Sequence, residues 1–412
     1  MRSHRSLLAA ATGVAVTVLA VAGAAAQGPR LTPKEQLGKA IFFDENLSLN
    51  RNQSCASCHA PRAGWTGPNR RINAHGAVYE GSMSGAFGDR KPPSAAYATQ
   101  SPILSVDSEG AFAGGNFWDG RATGETLGSP AAEQAKGPFL NPKEQALPDA
   151  AALVERVCSA RYRWLFKRVW GPGACDVSNV DQAYDAIGLS IAAYEASPEV
   201  SAFSSKFDHA KAGWARLTPQ EQRGWALFRG KGKCAQCHVA DGHRPLFTDY
   251  TFDNLGVPKN PANPVYKENA AFVDPGLGGY LASRADYLAY ADANKGRHKV
   301  PTLRNVALKP SADFVKAYAH NGYFKSLEGI VHFYNTRDVL SVCPDDYTEA
   351  RALADNCWPA PEVAETVNTS ELGDLGLTPE EEAAIVAFLK TLSDGQRGQG
   401  CGGKGHGLFP TN

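Results

Sequence analysis

The sequence has no excess of charge of either sign. Its 42 lysines and arginines balance 42 aspartates and glutamates, so the formal net charge is zero. Because a nucleic-acid partner normally requires a basic excess, the balance argues against that class of function. The 412 residues are enough for two or three domains with cores of their own.

Beyond its N-terminus the sequence also lacks an apolar run long enough to cross a bilayer. Residues 1–26 have basic residues at the start, an apolar stretch at 7–22 and small residues at the end. This order is typical of a secretory signal peptide, whereas an uncleaved membrane anchor would need a longer apolar run. We therefore expect cleavage after Ala26 and an exported, periplasmic chain without a membrane span.

Methionine is nearly absent as well. The chain has only Met1, which leaves with the signal peptide, and Met83 in the first half. A methionine ligand is therefore excluded for any metal group that the second half holds. Cysteine is better represented, because four of the nine cysteines lie in two copies of Cys-x-x-Cys-His, at 55–59 and 234–238.

The other five cysteines include candidates for disulfides. Cys158 with Cys175 and Cys343 with Cys357 are the local pairings, and an oxidising compartment would permit them. The sequence alone leaves the connectivity open. Cys401 is left over in a Gly-rich tail, which we expect to be flexible.

The chain repeats one helix-start pattern three times. LTPKEQ at 31–36, LTPQEQ at 217–222 and LTPEEE at 377–382 share the same first residues. In each copy the threonine can cap a helix, the proline fits the first helical position and the glutamate completes a capping box. The third copy opens an apolar stripe typical of an amphipathic helix, and residues 180–197 have the same character.

Each half therefore predicts a helix, a Cys-x-x-Cys-His motif, long irregular loops and a closing helix. Few alternating strand patterns are present, so we expect a mainly α fold. Long loops at 61–130 and 241–300 usually need something inside to pack on. We expect a first domain at 27–205 and a second at 206–395, followed by the tail at 396–412.

Cys-x-x-Cys-His is the attachment motif of c-type haem. Two thiols one helical turn apart can reach the two vinyl groups of one porphyrin, and the adjacent imidazole can reach the iron. A zinc site would need four convergent ligands, and a thioredoxin-like dithiol needs no histidine at this place. We therefore expect two covalent haems, with His59 and His238 as iron ligands. The attachment cysteines are Cys55, Cys58, Cys234 and Cys237.

Several longer segments accompany the paired motifs. They are NFWDGRA at 116–122, EQAKGPFLNPKE at 133–144, KVPTLRNVAL at 299–308 and HNGYFKSLEGIVHFYNTRD at 320–338. Together they resemble the bacterial dihaem cytochrome c peroxidase and MauG family over nearly all of the mature chain. The resemblance implies two cytochrome c-like domains whose haems face each other, hydrogen peroxide as substrate, and an electron-donor protein or protein substrate as partner.

In this family the N-terminal haem is the peroxide site, with a glutamate and a glutamine in its pocket. The resemblance assigns Glu144, Gln134 and Pro138 to the matching positions. A carboxylate can move a proton between the oxygens of peroxide, an effect typically worth ~10²–10⁴-fold, and an amide can orient the peroxide. The alternative is that Glu144 lies on a solvated turn after Asn-Pro.

Trp118 matches the tryptophan that lies between the haems in the family, where an indole can relay an electron. The alternative is an ordinary core tryptophan. The segment GETLGSP at 124–130 makes the interval between Trp118 and Gln134 longer than the family pattern. This insertion bears on the shape of the first pocket.

The family's peroxidases usually give the second haem a methionine ligand, which this chain lacks. The matching position is Tyr334, and MauG-like members use tyrosine there. Alternatively, Tyr334 is an ordinary core residue and His320 or His332 is the ligand. One helix face with i, i+3, i+4, i+7 spacing comprises Leu327, Ile330, Val331 and Tyr334. Because methionine raises a haem potential and a phenolate favours oxidised iron, tyrosine favours MauG-like sharing of oxidising equivalents between both haems.

Two features depart from the family. MauG has a tryptophan two residues before its second haem motif, where this chain has Gly232, so quinone-cofactor maturation is not carried over. The family binds a calcium ion between its domains, and the matching carbonyls are those of Val300 and Thr302. Lys91 stands where an asparagine ligand is expected, and its ammonium group could take the place of the ion.

The sequence thus predicts an exported dihaem peroxidase of the MauG-like type. A conventional cytochrome c peroxidase with a small cytochrome or cupredoxin donor is the alternative enzyme, and a non-catalytic dihaem electron carrier is the alternative outside enzymes. Among minor candidates, His75 and Met83 could ligate the first haem at rest. Arg304 could pair with a haem propionate or form a surface ion pair.

Overall fold

Helices provide most of the regular structure in the computed structural model, which describes residues 30–395. The predicted signal peptide and the tail with Cys401 lie outside the described residues. The helices are α1 Pro33–Phe42, α2 Cys55–Cys58, α3 Arg70–Ala74, α4 Pro130–Leu140, α5 Ala150–Ser159, α6 Arg163–Trp170, α7 Val180–Ala196, α8 Lys206–Lys211, α9 Pro219–Arg229, α10 Val265–Glu268, α11 Gly276–Ala282, α12 Leu327–Thr336, α13 Glu349–Ala354 and α14 Pro379–Lys390.

The strands of the described chain are two or three residues long and occur in pairs. They are β1 Ser105–Val106, β2 Phe112–Ala113, β3 Phe252–Asp253, β4 His298–Lys299, β5 Ser341–Cys343 and β6 Cys357–Pro359. β1–β2 and β3–β4 are antiparallel, with Ser105 opposite Ala113 and Phe252 opposite Lys299. β5–β6 is parallel. Short strands among helices and long loops agree with the expected mainly α class.

The three repeated helix starts are confirmed in α1, α9 and α14. Thr32, Thr218 and Thr378 each accept a hydrogen bond at 3.3 Å from the backbone N–H three residues further on. The glutamate at that position accepts in return from the threonine backbone N–H, at 2.6, 2.7 and 3.1 Å. This reciprocal pairing satisfies donors that the first helical turn would otherwise leave free.

Two glycines at the same place in the repeat allow close helix packing. A Cβ atom at Gly38 of α1 would lie 1.8 Å from the carbonyl oxygen of Ser190 in α7. A Cβ atom at Gly224 of α9 would lie 1.9 Å from the carbonyl oxygen of Ala384 in α14. Each half therefore closes in the same way, with α1 pressed against α7 and α9 against α14. The sequence predicts helices at 180–197 and 377–392, and the structure adds the contacts.

Two large apolar cores follow this division. One is drawn from residues within 37–200 and the other from residues within 207–392. Phe203 packs against the first core and Phe207 belongs to the second. The change of core therefore falls near the expected boundary after residue 205, although the division into two cytochrome c-like domains stays a prediction.

The loops of the two halves are interleaved. Phe112, in the hairpin β1–β2 of the first half, shares an apolar cluster with Phe252 and Leu277 of the second half. This packing gives the long irregular loops an apolar anchor, as loops of such length require.

Two disulfides stabilise the loops, Cys158–Cys175 and Cys343–Cys357, which are the predicted local pairings. Each closes a loop of fewer than twenty residues, and such links stabilise a chain chiefly by restricting its unfolded state.

Among residues 30–395, no helix combines the length and the apolar character that crossing a bilayer would demand.

Candidate functional site

Each Cys-x-x-Cys-His motif borders a large cavity. Cys55 and Cys58 in α2, with His59, line a first cavity of about 1690 Å³ including its open mouth. The second motif follows α9 and lines a second cavity of about 1680 Å³. Each motif therefore faces a cavity in which a bound group could lie.

The imidazoles of both motifs are fixed by backbone carbonyls. His59 Nδ1 lies 3.3 Å from the carbonyl oxygen of Trp65, and His238 Nδ1 lies 2.9 Å from that of Phe247. A proton on Nδ1 can be donated to these carbonyls, which leaves Nε2 as the basic nitrogen. Burial lowers the pKa of both imidazoles, that of His59 to about 4. Both histidines are therefore in the neutral form that binds a metal.

The motif cysteines have the character of attachment residues rather than of a redox pair. All four are free thiols in the structure. Burial raises the pKa of Cys58 and of Cys234 to about 12, whereas a redox-active dithiol needs a lowered pKa. Two half-buried free thiols, one neutral imidazole and a cavity at each motif fit a covalently attached haem.

The first cavity also receives the side chains expected opposite His59. Gln134 and Pro138 lie on α4, and Glu144 follows this helix; all three line the cavity. The turn after Asn141 does exist, because Glu144 N donates to its carbonyl oxygen at 2.9 Å. The Glu144 carboxylate nevertheless borders the cavity instead of extending into bulk water.

The environment of Glu144 alters its acidity. Burial raises the pKa of this carboxyl group, against the opposing hydrogen bond from Asn141 Nδ2 to Oε2 at 2.8 Å. Arg121 lines the same cavity and holds Asp119 at 2.7 Å. The sequence analysis missed Arg121, although it lies in the segment NFWDGRA.

The insertion at 124–130 is held away from the cavity by one carboxylate. Glu133 of α4 accepts hydrogen bonds from the backbone N–H groups of Gly124, Thr126 and Leu127 at 2.6, 2.7 and 2.9 Å. The extra residues are thus tied to the start of α4. Trp118 and Gln134 both reach the first cavity despite the longer interval.

The second cavity is lined by one face of α12. The predicted stripe Leu327, Ile330, Val331 and Tyr334 borders it together with His238. His332 points elsewhere, because its Nδ1 lies 3.1 Å from Glu382 Oε1. His320 also borders the cavity, but its Nε2 lies 3.9 Å from a carboxylate oxygen of Asp274. Burial raises the pKa of Tyr334, so its phenol is neutral until a metal replaces the proton.

Trp118 borders both cavities. It is 8% exposed, and its Nε1 donates to the Lys91 carbonyl oxygen at 2.8 Å. The hydrogen bond fixes the plane of the indole between the two motifs. Placement between two cavities is what a relay needs, whereas a core tryptophan would face neither.

Two buried lysines accompany Trp118. Lys91 Nζ donates to the carbonyl oxygen of Pro92 at 3.0 Å and lies 3.3 Å from Thr66 Oγ1. Lys299, which the sequence analysis missed within KVPTLRNVAL, donates to Gly115 O and Asn116 Oδ1, both at 2.8 Å. Burial lowers the pKa of Lys91 to about 8 and that of Lys299 to about 7.

The carbonyls assigned to calcium have protein partners nearby. The Val300 carbonyl oxygen accepts from Thr248 Oγ1 at 2.7 Å. The side chain of Thr302, as distinct from its carbonyl, donates to Leu246 O at 2.6 Å. The Lys91 ammonium group donates its hydrogen bonds to Thr66 Oγ1 and to the Pro92 carbonyl oxygen, and not to the Val300 or Thr302 carbonyls. Calcium near Val300 and Thr302 stays a prediction.

The structure locates the three minor candidates. Arg304 is 1% exposed and holds Asp208 through two hydrogen bonds of 2.9 Å, so its ion pair is buried and not on the surface. His75 and Met83 are exposed and do not border the first cavity; Met83 is 45% exposed.

Comparisons with known proteins agree with this geometry. A family model described as di-haem cytochrome c peroxidase matches residues 32–216. Methylamine utilization protein MauG of Paracoccus denitrificans is 37% identical over 365 residues, which cover 87% of this chain and 88% of that protein. Cytochrome c551 peroxidase of Nitrosomonas europaea is 28% identical over 371 residues, 89% of this chain and 82% of that protein.

Solved structures give the same relation. The diheme peroxidase BthA of Burkholderia thailandensis has a TM-score of 0.71 and 32% identity, with 89% of this chain and 87% of that chain covered. A variant of that peroxidase with a tyrosine replaced by methionine has a TM-score of 0.74 at the same identity and coverage.

Proposed function

The chain belongs to the di-haem cytochrome c peroxidase and MauG family, and on that premise we propose which haem peroxidase activity it has. It reduces hydrogen peroxide in the first cavity and oxidises an external electron-donor protein or protein substrate. Oxidising equivalents are shared between the two cavities in the MauG-like manner. The family accounts for two haems; attachment to the cysteines of the two motifs, with His59, His238 and Tyr334 as iron ligands, is our assignment.

When bound, haem supplies iron centres that accept peroxide and exchange single electrons. The protein supplies the proton transfer. Breaking the O–O bond requires a proton to leave one oxygen and reach the other, and Glu144 carries it on its carboxylate oxygens. Its raised pKa brings the group closer to neutral pH, where an acid–base catalyst is most effective.

Gln134 and Pro138 act beside Glu144 on the wall formed by α4. The Gln134 amide offers two N–H donors and one acceptor oxygen, so it can orient peroxide for the proton transfer. Pro138 has no N–H and a fixed ring, and it gives that wall a rigid apolar part. Trp118 couples the cavities, supported by its position on both of their walls.

Tyr334 is the observation that carries the MauG-like form of the proposal. Its side chain borders the second cavity with His238, and the sequence has no methionine after Met83. A phenolate ligand stabilises oxidised iron, whereas a thioether would favour the reduced state. The second cavity therefore suits storage of an oxidising equivalent better than delivery of electrons at high potential.

A conventional cytochrome c peroxidase with a small redox-protein donor is the second candidate. Relatives with that activity in their names match this chain alongside MauG. Gly232 also favours the conventional peroxidase, because it stands where MauG has the tryptophan that relays charge from its protein substrate. A Cβ atom at this position would lie 2.9 Å from the Leu227 carbonyl oxygen, so the backbone here has no room for an indole. A non-catalytic electron carrier is disfavoured, since the family consists of enzymes.

Export to the periplasm belongs to the same proposal. The two disulfides require an oxidising compartment, and attachment of c-type haem is compatible with one. The first haem would belong to residues 27–205 and the second to residues 206–395.

The test is a peroxide titration of the purified holoprotein, followed by absorption spectroscopy. One equivalent of peroxide should change the haem bands of both cavities in the native protein, and both oxidising equivalents should persist. Tyr334→Met should retain one equivalent only. Tyr318→Phe is the matched control, because Tyr318 lines the same cavity while its hydroxyl donates to Val306 O at 3.3 Å.

Three results would count against the proposal. Storage of both equivalents by Tyr334→Met would remove the tyrosine from its assigned role. Rapid turnover with a reduced small cytochrome, without stored equivalents, would favour the conventional peroxidase. Failure of the native holoprotein to consume peroxide with any donor would leave only the electron carrier.

A further inference from the structure

Four side chains from separate segments converge beside the second cavity. Asp274 precedes α11, His298 begins β4, His320 lies between β4 and α12, and Glu362 follows β6. His298 Nε2 lies 3.3 Å from Asp274 Oδ2. His320 Nε2 lies 3.9 Å from Asp274 Oδ2 and 3.9 Å from Glu362 Oε2.

These side chains are buried, and three of their polar atoms lack a hydrogen bond. Their exposed fractions are 4% for both carboxylates, 9% for His298 and 8% for His320. Within the described chain, His298 Nε2, His320 Nε2 and Glu362 Oε2 are buried atoms without a hydrogen bond. Each unmatched buried polar atom costs about 1–3 kcal/mol. Three such atoms at one point indicate a bound group that pairs with all of them.

The remaining atoms of the carboxylates are held in place by outer partners. Tyr266 Oη donates to Glu362 Oε1 at 2.7 Å. Arg90 donates to both oxygens of Asp274, at 2.7 and 2.6 Å. Hydrogen bonds of this kind orient ligand side chains around a metal ion, and here they leave Glu362 Oε2 directed at the histidines.

The charge of the cluster selects a cation. Asp274 and Glu362 bring two negative charges. Arg90 pairs with Asp274 and also with Asp119, whose Oδ2 lies 2.5 Å from Arg90 Nη1, so its single positive charge is shared between two carboxylates. An anion, including a haem propionate, would be repelled by two carboxylates at the same point. The imidazole rings of His298 and His320 are parallel with centroids 3.6 Å apart, so two nitrogen donors lie beside the two carboxylates.

We propose that Asp274, His298, His320 and Glu362 form a binding site for one divalent transition-metal ion, of which zinc fits best. The ligand atoms of the first three lie within 4.8 Å of one another. Zinc accepts imidazole nitrogen and carboxylate oxygen as ligands and prefers four of them in a tetrahedron, the number that this cluster offers.

The site is distinct from the haem-attachment motifs. A second group of ligand atoms, formed by Cys237, Asp253 and Glu371, includes a motif cysteine and therefore belongs to the haem. None of the four proposed ligands lies in a Cys-x-x-Cys-His motif. The ion would join loops before α11, before α12 and after β6, so its role is to rigidify the wall of the second cavity.

Metal content of the holoprotein tests the proposal without recourse to peroxidase activity. The purified protein is incubated with excess zinc sulfate, freed of unbound ions by gel filtration, and assayed for zinc and iron by mass spectrometry. We expect one zinc per two irons in the native protein. Glu362→Gln and His298→Phe should each retain less than a tenth of that zinc at unchanged iron content. His243→Phe, at an exposed position, is the matched control and should retain all of it.

Each remaining result decides against part of the proposal. Native protein that retains no zinc overturns the site, and so does zinc retained equally by both ligand variants. If the native protein retains no metal and the variants shift the absorption bands of one haem, the cluster serves the haem instead. A different metal present at one per two irons and lost in both variants keeps the site and overturns its assignment to zinc.

Discussion

At the scale of single residues, the function proposed for the first cavity depends on how the fold modifies an ordinary glutamate. Glu144 follows the exposed residues Pro142 and Lys143, yet its own carboxylate borders the cavity. Burial raises its pKa, and Asn141 opposes the shift. The outcome is a carboxyl group that can accept and release a proton under mild conditions.

Replacement of Glu144 should therefore change both the rate and its pH dependence. Glu144→Gln should slow the reaction with peroxide by ~10²–10⁴-fold, the usual contribution of a general acid–base group. Only the carboxylate form can take the first proton, so the native rate should rise with pH through a pKa above the ordinary 4.5. Stopped-flow absorption from acidic to neutral pH measures both effects.

Glu155→Gln is the control for this change. Glu155 is exposed on α5, and its replacement should leave the rate and the pH profile as they are. A Glu144→Gln variant that keeps the native rate and the same rise with pH would contradict the assigned role.

Residues within continuous motifs could be predicted from the sequence, and residues assembled from distant segments could not. The i, i+3, i+4, i+7 stripe predicted that Tyr334 points inward, and His332 indeed turns away to Glu382. Lys299 and His320 each begin a quoted segment, but no local pattern predicts their pairing with Asn116 and Asp274. Their partners lie tens of residues away along the chain, so only the folded structure brings them together.

At the scale of helices, each half is closed by one tight contact made at a glycine. Glycine inside a helix costs about 1 kcal/mol relative to alanine, and here close approach of the facing helix offsets that cost. Gly38 and Gly224 occupy the same position in the repeat, and both meet a backbone carbonyl that cannot move aside as a side chain can.

Gly224→Ala should destabilise the protein by about 2 kcal/mol. The added methyl group would lie 1.9 Å from the Ala384 carbonyl oxygen, so α9 and α14 must separate. Overpacking of this kind typically costs about 1–3 kcal/mol, more than the gain in helix propensity. Guanidinium unfolding of the holoprotein measures the free energy.

Gly88→Ala is the matched glycine control. A Cβ atom at Gly88 meets no atom within 4 Å, so this variant should have nearly native stability. Equal stability of Gly224→Ala and Gly88→Ala would show that the α9–α14 contact is not as tight as described.

Helix starts were predictable because capping boxes are local. The loops at 61–130 and 241–300 were not, because their short helices and two-residue strands are determined by contacts between distant segments. The hairpin β1–β2, for example, follows from packing of Phe112 against residues of the second half.

At the scale of the whole molecule, one carboxylate near the end of the described chain joins both halves and the linker. Asp394 accepts hydrogen bonds from Tyr97 Oη at 2.6 Å, Ser204 N at 2.8 Å and Asn305 Nδ2 at 2.9 Å. Tyr97 lines the first cavity and Asn305 the second. The junction therefore fixes the walls of both cavities at once.

Asp394→Asn should lower the free energy of unfolding by about 2 kcal/mol, since hydrogen bonds to a charged group contribute about 1.5–3 kcal/mol. The amide can accept at one atom only, so at least one of the three bonds is lost. Asp374→Asn, at an exposed position after α13, is the control and should be neutral. Indistinguishable denaturation midpoints for the two variants would contradict the structural role of Asp394.

The boundary between the halves was partly predictable from the sequence. The repeated helix starts indicated two units, and the cores change between Phe203 and Phe207 as expected. Interleaving of loops across that boundary could not be predicted, because neither Arg90 nor Asp274 belongs to a recognisable motif and their pairing joins the halves.

Electron paramagnetic resonance of the resting, fully oxidised holoprotein, before and after addition of cyanide, tests the account most directly. Unequal iron coordination predicts two different signals: one centre that binds cyanide in the cavity of Glu144, and one that does not because Tyr334 closes it. Two identical six-coordinate signals that are unchanged by cyanide would contradict the account.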